Sequence, residues 1–266
     1  MKDHENFAVL REKLSPRRDN LYLMESVDST NSYARHLARQ GAPDGTVVLA
    51  DSQSGGRGRL GRDFQSPMGK GLYLSVLWRP NCTPEQLFSL TALAAVAVCR
   101  AVERVTGSRP GIKWPNDLVA RKKKVGGILT EMEPIPGENR VDYVVLGIGL
   151  NVYPAPFDGE VADMAASLSE QLETELSRAE LAAALLEELD TLRETVLWQP
   201  TLWLEEYRAS CLNLGRTVKL LQNGQQTMAV AMNVDEQYGL MVRMIDGSHV
   251  MVRSGEVSVR GLYGYV

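Results

Sequence analysis

Residues 54–62 read Ser-Gly-Gly-Arg-Gly-Arg-Leu-Gly-Arg, which places three arginines among four glycines. Glycine lets the backbone approach a ligand closely, and the planar guanidinium of arginine matches the oxygens of a carboxylate or a phosphate. The stretch therefore predicts a loop that folds around an anion. Because like charges repel one another on a flexible segment, we expect this glycine loop to be mobile until an anionic ligand orders it.

The residues after the loop exclude a dinucleotide-binding fold. Gly56, Gly58 and Gly61 match the spacing of the GxGxxG fingerprint, but that fingerprint must open a helix whose N-terminus receives the pyrophosphate. Here residues 63–71 contain one proline and two glycines, and residues 72–78, Leu-Tyr-Leu-Ser-Val-Leu-Trp, predict a strand. The chain also has no Walker A sequence and no kinase His-Arg-Asp or Asp-Phe-Gly motif.

The composition is that of an ordinary globular protein. Of 266 residues, 44% are hydrophobic and 23% are charged. A net charge of −4 gives no overall attraction to DNA or to an anionic membrane, so any anion site must be local. Three cysteines and three histidines without ligand spacing argue against zinc. The charged first twenty residues do not resemble a signal peptide, and no run of eighteen apolar residues occurs. We expect a reduced, cytoplasmic protein with no membrane partner.

Hydrophobic periodicity predicts mixed strands and helices up to about residue 212. Strands are expected over 21–25, 46–50, 71–78, 112–114, 118–120, 125–132 and 143–150, and helices over 31–40, 84–106, 178–198 and 202–210. From residue 215 onward, short alternating strands are separated by Asn223-Gly224 and Asp246-Gly247, which are good hairpin turns. The change predicts a domain boundary near residue 212, followed by a small barrel-like β domain.

Four further motifs accompany the glycine loop: Asp28-Ser29-Thr30-Asn31, Lys113-Trp114-Pro115-Asn116-Asp117, Lys124-Val125-Gly126-Gly127-Ile128-Leu129 and Gly147-Ile148-Gly149-Leu150-Asn151. In this order the five segments resemble the biotin protein ligase family, also called biotin-[acetyl-CoA-carboxylase] ligase. The resemblance covers about residues 20–262.

The resemblance implies an α+β fold. Its parts are a central mixed β-sheet flanked by helices, as in class II synthetases, and a small C-terminal SH3-like β-barrel. Residues 1–212 are expected to form the catalytic domain, with residues 1–20 as a short N-terminal extension. Residues 213–266 are expected to form the SH3-like domain.

The implied activity is ATP-dependent formation of biotinyl-5′-AMP, followed by transfer of biotin to a lysine of a biotin carboxyl carrier protein. ATP and biotin would be substrates, and Mg²⁺ would be required. A carboxylate that attacks the α-phosphate brings two anions together, so the site needs cations. The resemblance gives the catalytic roles to Lys124, as a bridge between the biotin carboxyl group and the α-phosphate, and to Arg57.

The biotin pocket implied by the resemblance combines neutral hydrogen-bonding groups, which suit the ureido head of biotin, with loop residues and cations. Its members are Ser29, Thr30, Asn31, Gln53, Gly56, Arg57, Gly58, Arg59, Lys124 and Gly127. Two of these positions also have a simpler interpretation. Ser29 could be a helix N-cap, and Lys124 could belong to one solvated basic turn with Lys122 and Lys123.

The nucleotide side implied by the resemblance contains cations, amides and a glycine: Arg59, Arg62, Lys113, Asn116, Gly149 and Asn151. Asp117 is the candidate Mg²⁺ ligand, or the group that helps to deprotonate the acceptor lysine, or a brace for the following turn. Phe64 stands where family members commonly have a tryptophan, which predicts weaker stacking over adenine.

Two other classes of function compete with this interpretation. A lipoate or octanoate ligase or transferase shares the related fold, but the glycine loop together with Lys113-Trp114-Pro115-Asn116-Asp117 favours biotin. A biotin-sensing repressor would need a DNA-reading helix, and only about twenty residues precede the first strand. We therefore expect no DNA binding. The sequence leaves open whether the protein forms a homodimer.

Overall fold

The computed structural model describes residues 7–14, 20–222, 225–253 and 258–261. Within them, seven strands form one sheet in the order β1-β2-β3-β7-β6-β5-β4. The strands are β1 (Leu21–Val27), β2 (Thr46–Gln53), β3 (Gly71–Trp78), β4 (Gly111–Lys113), β5 (Asp117–Ala120), β6 (Lys123–Pro134) and β7 (Val141–Asn151). The pair β1 and β2 is parallel and the other neighbours are antiparallel, so the predicted mixed sheet is confirmed.

Helices cover both faces of this sheet. They are α1 (Phe7–Leu14), α2 (Thr30–Arg39), α3 (Leu90–Thr106), α4 (Leu168–Leu172), α5 (Arg178–Thr195) and α6 (Leu204–Ser210). Because side chains alternate along a strand, Val47 and Leu49 of β2 join the larger core with α3 and α5. Val48 points to the opposite face and packs with α2. The face that carries α2 also carries the candidate site.

The helix predicted over 84–106 is interrupted near its start. Residues Pro84–Leu87 form a 3-10 turn, in which the Thr83 and Gln86 side chains close a capping box, and α3 begins at Leu90. Gly107 ends α3 with a left-handed φ of 72°. By length and composition this segment could cross a membrane, but 72% of its most apolar window is buried inside the fold. Here α3 is the central core helix.

The charged N-terminal extension contains a helix that the sequence analysis did not predict. Leu10 and Leu14 of α1 are fully buried, and α1 packs against α5 and β1. Their spacing of four residues puts both leucines on one side of a helix. Two buried leucines among charged residues are a weak signal, which explains why the helix was missed.

A second sheet follows the predicted boundary. It contains β8 (Thr217–Gln222), β9 (Gln225–Val234), β10 (Leu240–Met244), β11 (His249–Val252) and β12 (Ser258–Gly261), in the order β11-β10-β9-β8-β12. All its pairs are antiparallel, as expected for a small C-terminal β domain. The Asp246-Gly247 hairpin joins β10 to β11, and the Asn223-Gly224 turn lies outside the described residues. The boundary near residue 212 remains a prediction, since one buried core runs across both sheets.

The turn between β4 and β5 is attached to the second sheet. The indole N–H of Trp114 donates to the carbonyl of Tyr238 at 2.9 Å, and its backbone N–H donates to Oδ1 of Asn213 at 2.7 Å. The Tyr207 hydroxyl donates to the carbonyl of Pro115 at 3.1 Å. All three bonds are buried, so Trp114 packs in the core, and Asn116 of the same turn is held at the site.

Candidate functional site

Three glycines leave a bare floor on the face of the sheet that carries α2. Gly127 of β6 pairs with Gly149 of β7, and Gly147 pairs with Leu129. Since paired residues of antiparallel strands share a face, Gly127, Gly147 and Gly149 lie together. The Asn31 amide reaches over Gly147 and the Phe64 ring over Gly149. A ligand could therefore rest on the backbone of β6 and β7 beside Gly127, and over Gly149 only if the Phe64 ring moved.

A chain of hydrogen bonds borders this floor beside the first turn of α2. The amide oxygen of Gln53 accepts from the backbone N–H of Thr30 at 2.8 Å and from its hydroxyl at 3.1 Å, while Gln53 Nε2 donates to Ser66 Oγ at 2.7 Å. The fully buried Ser75 has its Oγ 2.8 Å from Thr30 Oγ1 and 2.7 Å from Asn31 Oδ1. The structure thus brings together Thr30, Asn31 and Gln53, as the sequence predicted.

The orientation of the Asn31 amide is fixed from both sides. Its Nδ2 donates to the Leu129 carbonyl at 3.3 Å and to Glu131 Oε2 at 2.9 Å, so its oxygen faces Ser75. Gly147 makes room for it, because a Cβ on Gly147 would lie 2.0 Å from Asn31 Oδ1. Ser29 occupies the N-cap position of α2, but its buried side chain makes no capping bond. Gln53 binds the first helical N–H instead.

The glycine loop folds back on itself as a narrow hairpin. The backbone N–H of Gly58 donates to the carbonyl of Arg62 at 2.7 Å, and Leu60 at the tip has a left-handed φ of 58°. Arg57 Nη1 lies 3.1 Å from Glu131 Oε1, and Arg59 Nη1 donates to Asn116 Oδ1 at 2.9 Å. Two loop arginines thus contact strand β6 and the turn between β4 and β5. The predicted mobility of the free loop stays a prediction.

The electrostatics at Arg59 favour an added anion. Burial lowers the pKa of the Arg59 guanidinium, Asp117 opposes this effect, and repulsion from Arg62 adds to it. Arg62 itself is exposed at the foot of the hairpin. The negative charge of a bound ligand would offset both effects by stabilising the charged form of Arg59.

Lys124 and Asp117 form an ion pair at one end of the floor. Lys124 Nζ lies 2.5 Å from Asp117 Oδ1, and both side chains are mostly buried. Both Oδ1 and Nζ would lie 3.4 Å from a Cβ built on Gly127, so the pair borders the bare strand. Lys113, also buried, stands opposite Asp117 in the β4–β5 register. The structure therefore groups Lys113, Asp117, Lys124 and Gly127, as the sequence predicted.

Two positions that were predicted to contact the nucleotide are occupied by contacts within the protein. Asn151 is buried and donates from Nδ2 to the carbonyl of Ala166 at 3.2 Å. A Cβ on Gly149 would lie 2.6 Å from the ring of Phe64, and Phe64 makes an edge contact with Tyr73. The space over Gly149 is thus occupied by Phe64, and a ring ligand could reach it only if Phe64 moved.

Three residues connect the predicted ones but belong to none of the predicted site motifs. Ser66, Ser75 and Glu131 each contact at least one predicted site residue. Ser75 carried a signal, since it is the single hydroxyl side chain besides Tyr73 in the apolar strand β3. Among the described residues, no cluster of three or more His, Cys, Asp or Glu side chains could hold a metal. Asp117 could therefore contribute only one carboxylate to a metal that also binds substrate phosphates, which is the usual arrangement for Mg²⁺.

Comparison with known proteins identifies relatives of one family. The model of the biotin/lipoate A/B protein ligase family matches residues 23–151. The bifunctional ligase/repressor BirA of Bacillus subtilis is 42% identical over 162 residues, 60% of this chain and 49% of that protein. This chain thus spans about half the length of that relative.

Two relatives match over most of both chains. The biotin-[acetyl-CoA-carboxylase] ligase of Mycobacterium tuberculosis is 35% identical over 246 residues, 89% of this chain and 88% of that protein. The structure of the biotin protein ligase from Aquifex aeolicus in complex with biotin and ATP has a TM-score of 0.75 at 30% identity, and covers 92% of this chain and 100% of that chain. The chain therefore belongs to the biotin protein ligases, within the biotin/lipoate A/B protein ligase family.

Proposed function

We propose that the protein activates biotin with ATP to biotinyl-5′-AMP and transfers the biotinyl group to a lysine of a biotin carboxyl carrier domain. The observation that carries this proposal is the division of one glycine floor into two ends. A neutral network of Thr30, Asn31 and Gln53 borders one end. The Lys124–Asp117 pair borders the other. A ligand with a neutral polar head and a carboxylate tail fits such a site.

In the first step the biotin carboxylate attacks the α-phosphate of ATP, and pyrophosphate leaves. The neutral network supplies both donors and acceptors, which the ureido N–H groups and carbonyl of biotin require. Lys124 and Arg57 offset the charge of the two anions as the new bond forms. We assign Arg59, Arg62, Lys113 and Asn116 to the nucleotide and its phosphates. Mg²⁺ would enter with ATP and balance the charge of the leaving pyrophosphate.

In the second step the amine of the carrier lysine attacks the acyl carbonyl of the mixed anhydride, and AMP leaves. That amine must lose a proton before it can attack. Asp117 is the carboxylate that borders the floor beside Lys124. We therefore assign to it the role of helping to remove this proton. The glycine loop would exclude water from the anhydride until the carrier arrives.

The acceptor is inferred from the chemistry and from a relative. The Mycobacterium tuberculosis protein carries acetyl-CoA carboxylase in its name as the substrate, so we infer a carboxylase carrier domain as the partner here. We place the reaction in the cytoplasm, where the buried free thiols of Cys82, Cys99 and Cys211 stay reduced.

The direct test is pyrophosphate exchange. Purified protein with Mg²⁺ and ATP should exchange labelled pyrophosphate into ATP only when biotin is present. Octanoate and lipoate, the substrates of the competing reading, serve as the specificity controls. If either acid supports exchange and biotin does not, the protein is a lipoate or octanoate enzyme.

Gly147→Ala should weaken the biotin end of the site specifically. The new Cβ would displace the Asn31 amide, which then loses its bonds to Ser75 and Glu131. Since a disrupted buried hydrogen bond costs about 1 to 3 kcal/mol, the KM for biotin should rise about tenfold, with a smaller change in the KM for ATP. In an Asn31→Ala background the same substitution should add little, because the clashing group is gone. A full additional effect in that background would show that Gly147 acts on the ligand and not through Asn31.

A further inference from the structure

Glu131 lies at a junction between the two structural elements that border the biotin end. It lies toward the C-terminal end of β6, and its side chain is only 18% exposed. Its carboxylate accepts from Asn31 Nδ2 at 2.9 Å and from Arg35 Nη1 at 3.2 Å, both on α2. It also lies 3.1 Å from Arg57 Nη1 of the glycine loop. A single carboxylate thus contacts a pocket amide and a loop arginine.

Arg57 depends on Glu131 more than Arg35 does. Arg57 is half exposed, and Glu131 is the partner that the structure gives its side chain. Arg35, by contrast, lies near two carboxylates, since its Nη2 is 3.8 Å from Glu133. Removing the charge of Glu131 would leave Arg35 with Glu133 but would release Arg57.

We propose that Glu131 is a positioning residue that holds Arg57 beside the biotin end of the floor and fixes the Asn31 amide, so that this end of the pocket is set before the ligand binds. The inference rests on the proposed function. A guanidinium has five N–H donors in a rigid fork. An ion pair through Nη1 therefore orients the fork and leaves other donors for a carboxylate or phosphate.

Because this pair is partly exposed, its effect is moderate. Exposed ion pairs contribute weakly, so Glu131 orients the loop without locking it. The ligand can compete for Arg57, as a closing loop requires.

The test compares Glu131→Gln with Glu133→Gln. Both carboxylates lie on the same face of β6, and Glu133 contacts Arg35, Arg39 and Tyr143 but neither Arg57 nor Asn31. Glutamine keeps one acceptor oxygen for Asn31, and it replaces the charged partner of Arg35 and Arg57 with a neutral amide. Glu131→Gln should raise the KM for biotin about two- to fivefold and lower kcat by no more than a similar factor, because Arg57 is released from its position, with the KM for ATP nearly unchanged. Glu133→Gln should leave all three values unchanged.

The second readout needs no substrate. Trypsin cleaves after arginine, and Glu131→Gln should speed cleavage within residues 57–62 of the free protein by a similar factor, whereas Glu133→Gln should not. If Glu131→Gln does not fold, judged by its thermal transition, Arg57→Gln breaks the same pair from the loop. Cleavage at Arg59 and Arg62 should then accelerate.

Equal behaviour of Glu131→Gln and Glu133→Gln in both assays, with both variants folded, would overturn the proposal. Failure of the wild-type protein to show biotin-dependent exchange would instead overturn the proposed function. The protease comparison would still report on the Glu131–Arg57 contact. The two failures are therefore distinguishable.

Discussion

Lys124→Ala should lower the rate of biotinyl-adenylate formation by about two orders of magnitude or more, the range for loss of a preorganised charge stabiliser. Lys124 Nζ is fixed against Asp117 at 2.5 Å beside Gly127, so its charge is already in place when the carboxylate meets the α-phosphate. Alanine also leaves the Asp117 carboxylate without this cation, which adds repulsion toward both anions. The measurement is single-turnover adenylation, with biotin binding followed separately. Binding should weaken much less than the rate.

Lys122→Ala is the matched control for this experiment. Lys122 lies in the turn that precedes β6 and is exposed, and it fits the solvated basic turn that the sequence suggested for it. Its loss should leave the adenylation rate within about twofold, since surface charges contribute little. If Lys124→Ala also stayed near the wild-type rate, Lys124 would belong to that solvated turn as well.

Elements with a strong local pattern could be predicted from the sequence. Strand β3 was expected over 71–78 and is found there, because a continuous apolar run is bounded by glycine before it and proline after it. The strands over 118–120 and 125–132 and the Asp246-Gly247 turn were also expected, and they are present, the two strands as the β5–β6 hairpin. In the two hairpins the paired residues lie close together in sequence, whereas β3 pairs with the distant strands β2 and β7 and was predictable from its apolar run alone.

The missed features depend on contacts between distant segments. Helix α1 is held by Leu10 and Leu14 against α5, far along the chain. Glu131 meets Arg57 across a separation of 74 residues. No local pattern marks one glutamate of a strand as the partner of a loop arginine. The motifs thus predicted which residues gather at the site, whereas the residues that connect them became visible only in the folded chain.

The same distinction applies to Phe64 and Gly149. The sequence suggested that Phe64 could stack over adenine and that Gly149 leaves room for it. In the structure the ring of Phe64 itself fills the space over Gly149. On the proposed function, adenine would therefore have to displace this ring before stacking on it, which would link adenine binding to movement of the segment that follows the glycine loop.

Arg178→Ala should destabilise the fold more than any surface change discussed above. Arg178 is the first residue of α5 and is only 2% exposed; its Nη1 lies 2.6 Å from Asp51 Oδ1 and 3.2 Å from the carbonyl of Gly71. Removing one partner of a buried ion pair leaves an uncompensated charge and costs about 3 to 5 kcal/mol. Asp51 lies two residues before Gln53 on β2, so this pair attaches α5 to the strand that supports the neutral network.

The free energy of unfolding of this variant should be compared with that of Arg104→Ala. Arg104 makes an exposed ion pair with Glu187 at 3.0 Å, which is expected to contribute at most about 1 kcal/mol. Denaturant titration followed by tryptophan fluorescence measures both values. The double variant Asp51→Ala with Arg178→Ala should lose less stability than the sum of the two single variants, because it leaves no unpaired charge behind. If Arg178→Ala cost no more than Arg104→Ala, burial of the pair would not be what holds α5 to β2, and the apolar contacts of α5 with α3 and β3 would have to carry that attachment alone.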